Sequence, residues 1–177
     1  MARSQVIETA RLFIKPFSKR YLTKRYLSWL NNPKIVRFSE QRHKNHTIKS
    51  CQKYLDSFKK TPHFFWAIIV KDKSINHIGN MLALVDEFNK TADLSILIGE
   101  TKAWGKGYGT EAWQAVIKFL FKKSKLRKIT AGTLAVNKAM LKVMEKSGMI
   151  NDGQKKKQFL WEDKEIDGVH KAIFNTA

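Results

Sequence analysis

Residues 96–113, ILIGETKAWGKGYGTEAW, place three glycines at alternate positions between an apolar strand pattern and a helix pattern. Gly105, Gly107 and Gly109 let the backbone bend tightly and turn several N–H groups onto one concave face. At the start of a helix, such a row of donors makes a site for phosphate oxygens. A plain structural turn is the competing reading of the same three glycines. Two other phosphate loops are excluded. There is no GxxxxGK[ST] spacing, and the third glycine comes too early for GxGxxG.

Groups able to move a proton are few. Asp93 opens one strand candidate. Glu40 lies in RFSEQRHKN, residues 37–45, beside Arg42 and His43. A carboxylate or an imidazole there has the chemistry of a general base. A Glu/Arg pair two residues apart in a loop is equally a plain surface ion pair. Arg42 is suited to grip an anion bidentately, with Glu40 receiving a cationic group. The five histidines show neither HxxxH nor HExxH spacing, so no metal site is expected. The single cysteine, Cys51, excludes an intrachain disulfide and a cysteine-based zinc site. It falls on an apolar helical face, which suits a small core residue.

The elements that must position these groups follow from periodicity. Residues 6–17 have β composition up to Pro16. Residues 20–31 carry Tyr21, Leu22, Tyr26, Trp29 and Leu30 as a helix stripe, stopped by Asn32-Pro33. Thr47 is placed to cap a helix over 47–60, whose stripe is Ile48, Cys51, Tyr54, Leu55 and Phe58. Three strand candidates follow, 63–71, 75–85 and 92–99, separated by polar turns at 71–74 and 86–90. A helix over 107–124 buries Trp113, Val116, Ile117 and Leu120. A strand over 127–136 and a helix over 137–147, ended by Gly148, come next. Strands at 150–161 and 169–174, joined by a polar turn at 162–168, close the chain. This order makes a mixed α/β (α+β) domain, neither a bundle nor a sandwich.

The 177 residues suffice for one domain, with 43% hydrophobic residues to fill a core. Aromatic residues at 11% and only three prolines disfavour disorder. No apolar run approaches the ~20 residues of a membrane span. The first residues lack the apolar stretch of a signal peptide, so a cytoplasmic, single-domain protein covering 1–177 is expected. The net charge is +19, yet 27 of the 34 basic residues are Lys and only 7 are Arg. Phosphate and base recognition favour the planar fork of Arg. The charge therefore reads as a solvated surface that tolerates anionic partners, and nucleic acid is disfavoured.

The stretch Trp104-Gly105-Lys106-Gly107-Tyr108-Gly109 resembles motif A of the GNAT family, the acetyl-CoA-dependent N-acetyltransferases. Trp104, with Gly-Lys-Gly-Tyr and Thr-Glu-Ala after it, resembles the branch with ribosomal-protein and small-amine acetyltransferases. Residues 137–149 resemble motif B, and 159–169 resemble the closing hairpin. The resemblance covers nearly the whole chain. It implies a central, mostly antiparallel sheet with a splayed parallel strand pair and helices on both faces. It also implies acetyl-CoA as the acyl donor. The amides from Gly105 to Thr110, with the side chains of Trp104, Lys106 and Tyr108 beside them, would hold the CoA pyrophosphate. The strand at Ile96, Leu97 and Ile98 would pair with the pantetheine arm. Asn137 would meet the pantetheine, or cap its helix, or do both. Lys106, Lys142 and Lys146 would meet CoA phosphates, though any one lysine on so basic a chain is usually solvated.

The chain departs from the family where an acid is expected. Met144 stands where many members carry a proton-donating Tyr, Met140 where the ribosomal branch has Ser, and Met149 where Phe closes motif B. No general acid is therefore transferred, and Met144 is read as packing. A thiolate leaves without much help from an acid, so proximity and a base for the amine carry the expectation. Asp93 and Glu40 are the candidate bases. Glu40, Arg42 and His43 form the candidate acceptor wall. The pattern from Trp29 to Pro33, Glu40-x-Arg42 and Ile78-Gly79-Asn80 resembles GNAT proteins of amino-sugar and surface-polysaccharide pathways. A basic cleft suits a nucleotide-linked amino sugar and repels a polyamine. A protein N-terminus, and a non-catalytic basic module on the same fold, stand as alternatives. Monomer and homodimer are both open.

Overall fold

The computed structural model describes residues 5–72 and 76–176. Ile75, which opens one expected strand, and residues 73 and 74 of the turn before it lie outside the described residues. The elements are β1 (Ile7–Glu8), β2 (Leu12–Pro16), α1 (Lys24–Leu30), α2 (Pro33–Val36), α3 (Ile48–Asp56), β3 (Phe64–Val70), β4 (His77–Asp86), β5 (Thr91–Ile98), α4 (Tyr108–Ser124), β6 (Lys128–Leu134), α5 (Lys138–Lys146), β7 (Ile150–Trp161) and β8 (Lys164–Phe174). They form one mixed sheet of order β1-β2-β3-β4-β5-β6-β8-β7. Every neighbouring pair is antiparallel except β5–β6. The mixed, mostly antiparallel architecture is the one expected.

Helices cover both faces. On one side α4 and α5 pack on Leu12, Ile14, Trp66, Ile68, Met81, Leu94 and Ile129. On the other, the segment from Phe17 through α1 and α3 packs on Ala67, Ile69 and Leu97. Strand alternation sorts β5 between these two layers: Ala92, Leu94 and Ile96 face α4, while Leu97 faces α1.

Four boundaries differ from expectation, and the first is the helix expected over 47–60, which ends at Asp56. The β segment at 6–17 is two short strands, because the chain turns back after Glu8 and Thr9 closes the turn on the Leu12 carbonyl, N···O 3.0 Å. The helix expected over 20–31 begins only at Lys24. Thr23 takes the cap by accepting the Tyr26 amide at 3.1 Å, and Tyr21 reaches the core from a short 3-10 turn instead. Asn32-Pro33 ends α1 and also starts α2, where Asn32 caps the Lys34 amide and Pro33 fills the first helical position. The polar segment 162–168 is a turn only at Glu162 and Asp163, both at positive φ, and β8 already runs from Lys164. Thr47 caps α3 in a reciprocal box with Ser50. Cys51 and Met144 are buried, as packing residues should be.

Candidate active site

β5 and β6 pair only at Thr91↔Lys128, Ala92↔Ile129 and Asp93↔Thr130. Beyond that point β5 stays with β4 as far as Ile98, and β6 stays with β8 as far as Leu134. The two parallel strands therefore part into a V in the middle of the sheet. The Gly99 amide bonds to the Ile78 carbonyl at 2.9 Å, and a Cβ on Gly79 would collide with the Leu97 carbonyl. The odd-numbered backbone groups of β5 thus turn to β4, and beyond the last pair with β6 those of Ile96 and Ile98 turn into the V. Of the three strand residues named from sequence, Ile96 and Ile98 face the gap with their backbone. Leu97 is committed to β4. The Ile98 carbonyl already accepts the Trp104 indole N–H at 2.9 Å, so Trp104 ties the glycine loop to the end of β5.

The glycine loop leads straight into α4. Gly105 and Gly107 have φ of 75° and 81°, and Gly107 is the residue that caps α4. Only glycine takes this conformation without strain. The Glu111 amide is the first to close on the helix, bonding to the Gly107 carbonyl at 3.1 Å. Among the described residues, no acceptor meets the N–H groups from Gly105 to Thr110. A row of free donors at the positive end of a seventeen-residue helix is an anion cradle. Gly109 has ordinary φ, and its Cβ position is 3.8 Å from Ile98.

An arginine braces this cradle that no sequence motif indicates. Arg11, in the β1–β2 turn, donates from Nη1 to the Lys106 carbonyl at 2.9 Å and from Nε to Glu111 at 2.6 Å. Its guanidinium lies 4.6 Å from the centre of the Tyr108 ring. Thr9 and the Arg11 amide also donate to Glu111, at 2.6 and 3.0 Å. Burial works against the Glu111 carboxylate, but the Thr9 hydroxyl and the Arg11 amide and guanidinium hold it below its usual range. Lys106 and Lys142 are exposed and make no side-chain contact among the described residues. Asn137 caps α5 through the Met140 amide at 3.2 Å and donates to Thr133 at 2.9 Å, so its observed work is capping.

Asp93 sits at the crotch of the V, on the face of the sheet away from α4. Its Oδ2 accepts the Thr130 hydroxyl at 2.9 Å. Crowding pushes the carboxyl up, while Thr130 and the nearby charge of His170 pull it down; the net direction is up. Water still reaches it, and Ser95 and Gly132 on the same face are exposed.

The acceptor wall is built differently from its sequence reading. Glu40, Arg42 and His43 do come together: Arg42 lies 2.7 Å and His43 3.8 Å from the Glu40 carboxylate. Arg42 also donates to the Ser39 carbonyl at 3.1 Å and the Leu160 carbonyl at 3.2 Å. Arg42 is a strap to the β7–β8 hairpin, and its guanidinium is not held open for a ligand. Trp161 donates its indole N–H to the Arg37 carbonyl at 2.9 Å and stacks on Phe38, 5.6 Å between ring centres. The hairpin tip is thus tied to the segment after α2. Asp93 lies some fifty residues of chain from Glu40, and no contact joins the two. A shallow hollow of about 410 Å³ runs along Asn31, Pro33, Gln41, Arg42 and His43.

The comparisons with known proteins fit this geometry. Residues 11–150 match the Acetyltransferase (GNAT) domain. The chain belongs to the GNAT acetyltransferase family. An acetyltransferase of this family from Bacillus anthracis superposes with a TM-score of 0.80 at 23% identity, over 96% of this chain and 98% of the other. The ribosomal L7/L12 alpha-N-protein acetyltransferase RimL, in complex with coenzyme A, gives 0.84 at 12%, over 96% and 98%. Spermidine N-acetyltransferase from Vibrio cholerae, in complex with CoA and spermine, gives 0.83 at 16%, over 94% and 96%. At these identities the likeness is one of fold. No curated protein matches the chain. No helix among the described residues is long and apolar enough to cross a membrane, and none of their His, Cys, Asp and Glu residues gather into a metal site.

Proposed function

We propose that this GNAT protein transfers the acetyl group of acetyl-CoA to a primary amine. The single observation carrying this reading is the row of free N–H groups from Gly105 to Thr110, opening beside the V between β5 and β6. The residues present fit the group. The cradle and Arg11 would receive the pyrophosphate, and the Ile96 backbone and the Ile98 N–H would pair with an extended amide arm. When bound, acetyl-CoA supplies an activated thioester. The chain itself supplies position, and acid–base groups around the crotch of the V, where Asp93 lies. Met144, fully buried, adds no acid.

We propose a small, anionic amine as the acceptor, such as a nucleotide-linked amino sugar. The support is the +19 charge, which repels a polyamine and attracts a diphosphate. A ribosomal-protein N-terminus, the substrate class in RimL's name, is the second reading. The test has two stages. Acetyl-CoA should raise the melting temperature of the wild type and not that of Gly107→Val. Thiol release is then measured with a UDP-linked amino sugar and with an N-terminal ribosomal-protein peptide. Turnover of the peptide alone reverses the acceptor assignment. No melting shift with acetyl-CoA sinks the enzyme reading and leaves a basic binding module.

A further inference from the structure

Gly132 and Gly168 lie on β6 and β8, on the open face of the sheet that also carries Asp93. The His170 imidazole rests over both. A Cβ on Gly132 would lie 3.0 Å from its Cε1 and Nδ1, and a Cβ on Gly168 would lie 3.8 Å from its Nε2. The register places His170 opposite Gly132, one step beyond Thr130 on the same face, and Thr130 holds Asp93. His170 therefore stands on the far arm of the V, close enough for its charge to act on Asp93.

The other four histidines are engaged or remote. Nδ1 of His63 accepts the Val85 amide at 3.0 Å. His77 is half-buried among aromatic rings with Nε2 3.0 Å from the Gly79 carbonyl. Nε2 of His46 is buried. His43 is on the surface beside Glu40. His170 is held by packing on two glycines. Among the described residues, neither of its ring nitrogens has a hydrogen-bond partner. A half-exposed imidazole, fixed in place with both nitrogens free, is equipped to meet a ligand.

We propose that His170 accepts the proton of the incoming ammonium, and that Asp93 stabilises the imidazolium so formed. This deepens the acetyltransfer reading and rests on it. In the step, one N–H bond of the acceptor breaks and its electron pair stays on nitrogen as the nucleophilic lone pair. A new N–H bond forms on the imidazole, which releases the proton to water over the open face. Most other charged groups on the packed strands have partners: Lys171 of β8 pairs with Glu145 of α5 at 3.1 Å, and Glu165 of β8 with Lys157 of β7 at 2.8 Å, while Lys156 and Lys164 are exposed. Lys128 of β6 pairs with Asp152 of β7 at 2.8 Å. Asp167 of β8 accepts from Gln154 and from the Lys157 amide. Lys155 of β7 stands in register with Gly168. Asp93 accepts the Thr130 hydroxyl and has no ion pair among the described residues.

The test follows thiol release with a UDP-linked amino sugar across pH, alongside the melting shift with acetyl-CoA, which needs no acceptor. Wild-type kcat/KM should fall below an inflection in the imidazole range. His170→Gln should lose that inflection and about a hundredfold in kcat. It should keep the full melting shift with acetyl-CoA, which shows that the fold and cradle are intact. Asp93→Asn should lower kcat by about tenfold and keep the full melting shift with acetyl-CoA. Turnover of His170→Gln within about threefold of wild type, with its inflection unchanged, overturns the proposal. So does an Asp93→Asn protein with the kcat of wild type. Absence of a wild-type melting shift with acetyl-CoA overturns the acetyltransfer reading, and the role of His170 with it.

Discussion

Arg11 Nε lies 2.6 Å from Glu111 Oε2, across a hundred residues of chain, and fastens the first turn of the sheet to the first turn of α4. The same guanidinium holds the Lys106 carbonyl, so the glycine loop is gripped from both ends. Replacing Glu111 by Gln removes the charge from this brace. Acetyl-CoA affinity should fall roughly tenfold, the worth of about one charge-assisted hydrogen bond. Isothermal titration of Glu111→Gln against wild type measures it.

The Glu111 carboxylate is held low in the folded state, so its contribution is present above its unfolded value and lost as pH falls through the folded one. Urea melts at descending acid pH should therefore show the stability gap between wild type and Glu111→Gln closing. A gap that is constant with pH would mean that the carboxylate's charge is not what braces the loop.

His77 acts in a higher pH window. Burial among Tyr21, Trp29 and Phe17 carries its pKa down from 6.5 to about 4, with the Gly79 bond opposing and Arg25 adding to the drop. The unfolded chain binds this proton first. Stability is therefore fully present above about pH 6.5 and is lost as pH falls towards 4, by up to roughly 3 kcal/mol. Melting temperatures between pH 7.5 and 4.5 should show this loss in wild type, and His77→Phe should flatten it.

Met144 is fully buried against α4 and the sheet. Met144→Leu should cost under ~1.5 kcal/mol and keep most turnover, whereas Met144→Ala should cost ~2–5 kcal/mol. A hundredfold loss of turnover in a stable Met144→Leu protein would place this side chain against a substrate.

Arg42→Ala should free the hairpin tip at Leu160. The expected signature is a raised KM for the acceptor, with the acetyl-CoA melting shift unchanged. Equal KM values in variant and wild type would show that the strap does not shape the acceptor side.

Much of this was legible in the chain because it is local. Gly105 and Gly107 announce a loop that needs positive φ, and the Thr47 cap needs only its own turn. The helix stripe at 20–31 misled, because Tyr21 reaches the same core from a 3-10 turn and Thr23 claims the cap three residues later. The polar run 162–168 reads as a turn because β7 and β8 project beyond the core there, and Lys164 and Glu165 have no apolar face to bury. Arg11 and His170 carry no local signal at all. Arg11 finds Glu111 across a hundred residues, and His170 acquires a setting only when β6 places Gly132 beneath it.

The short pairing of β5 with β6 inverts the usual ranking of a sheet. In most sheets the central strands guard their amide protons longest and the edges lose them first. Here the amides of Ile96 and Ile98 lie near the middle of eight strands and open onto a gap. Without a ligand they should trade deuterium at the pace of a loop, and a strand-like guest should shut that exchange off. The centre of this sheet is thus the part of the backbone on which occupancy is written most plainly.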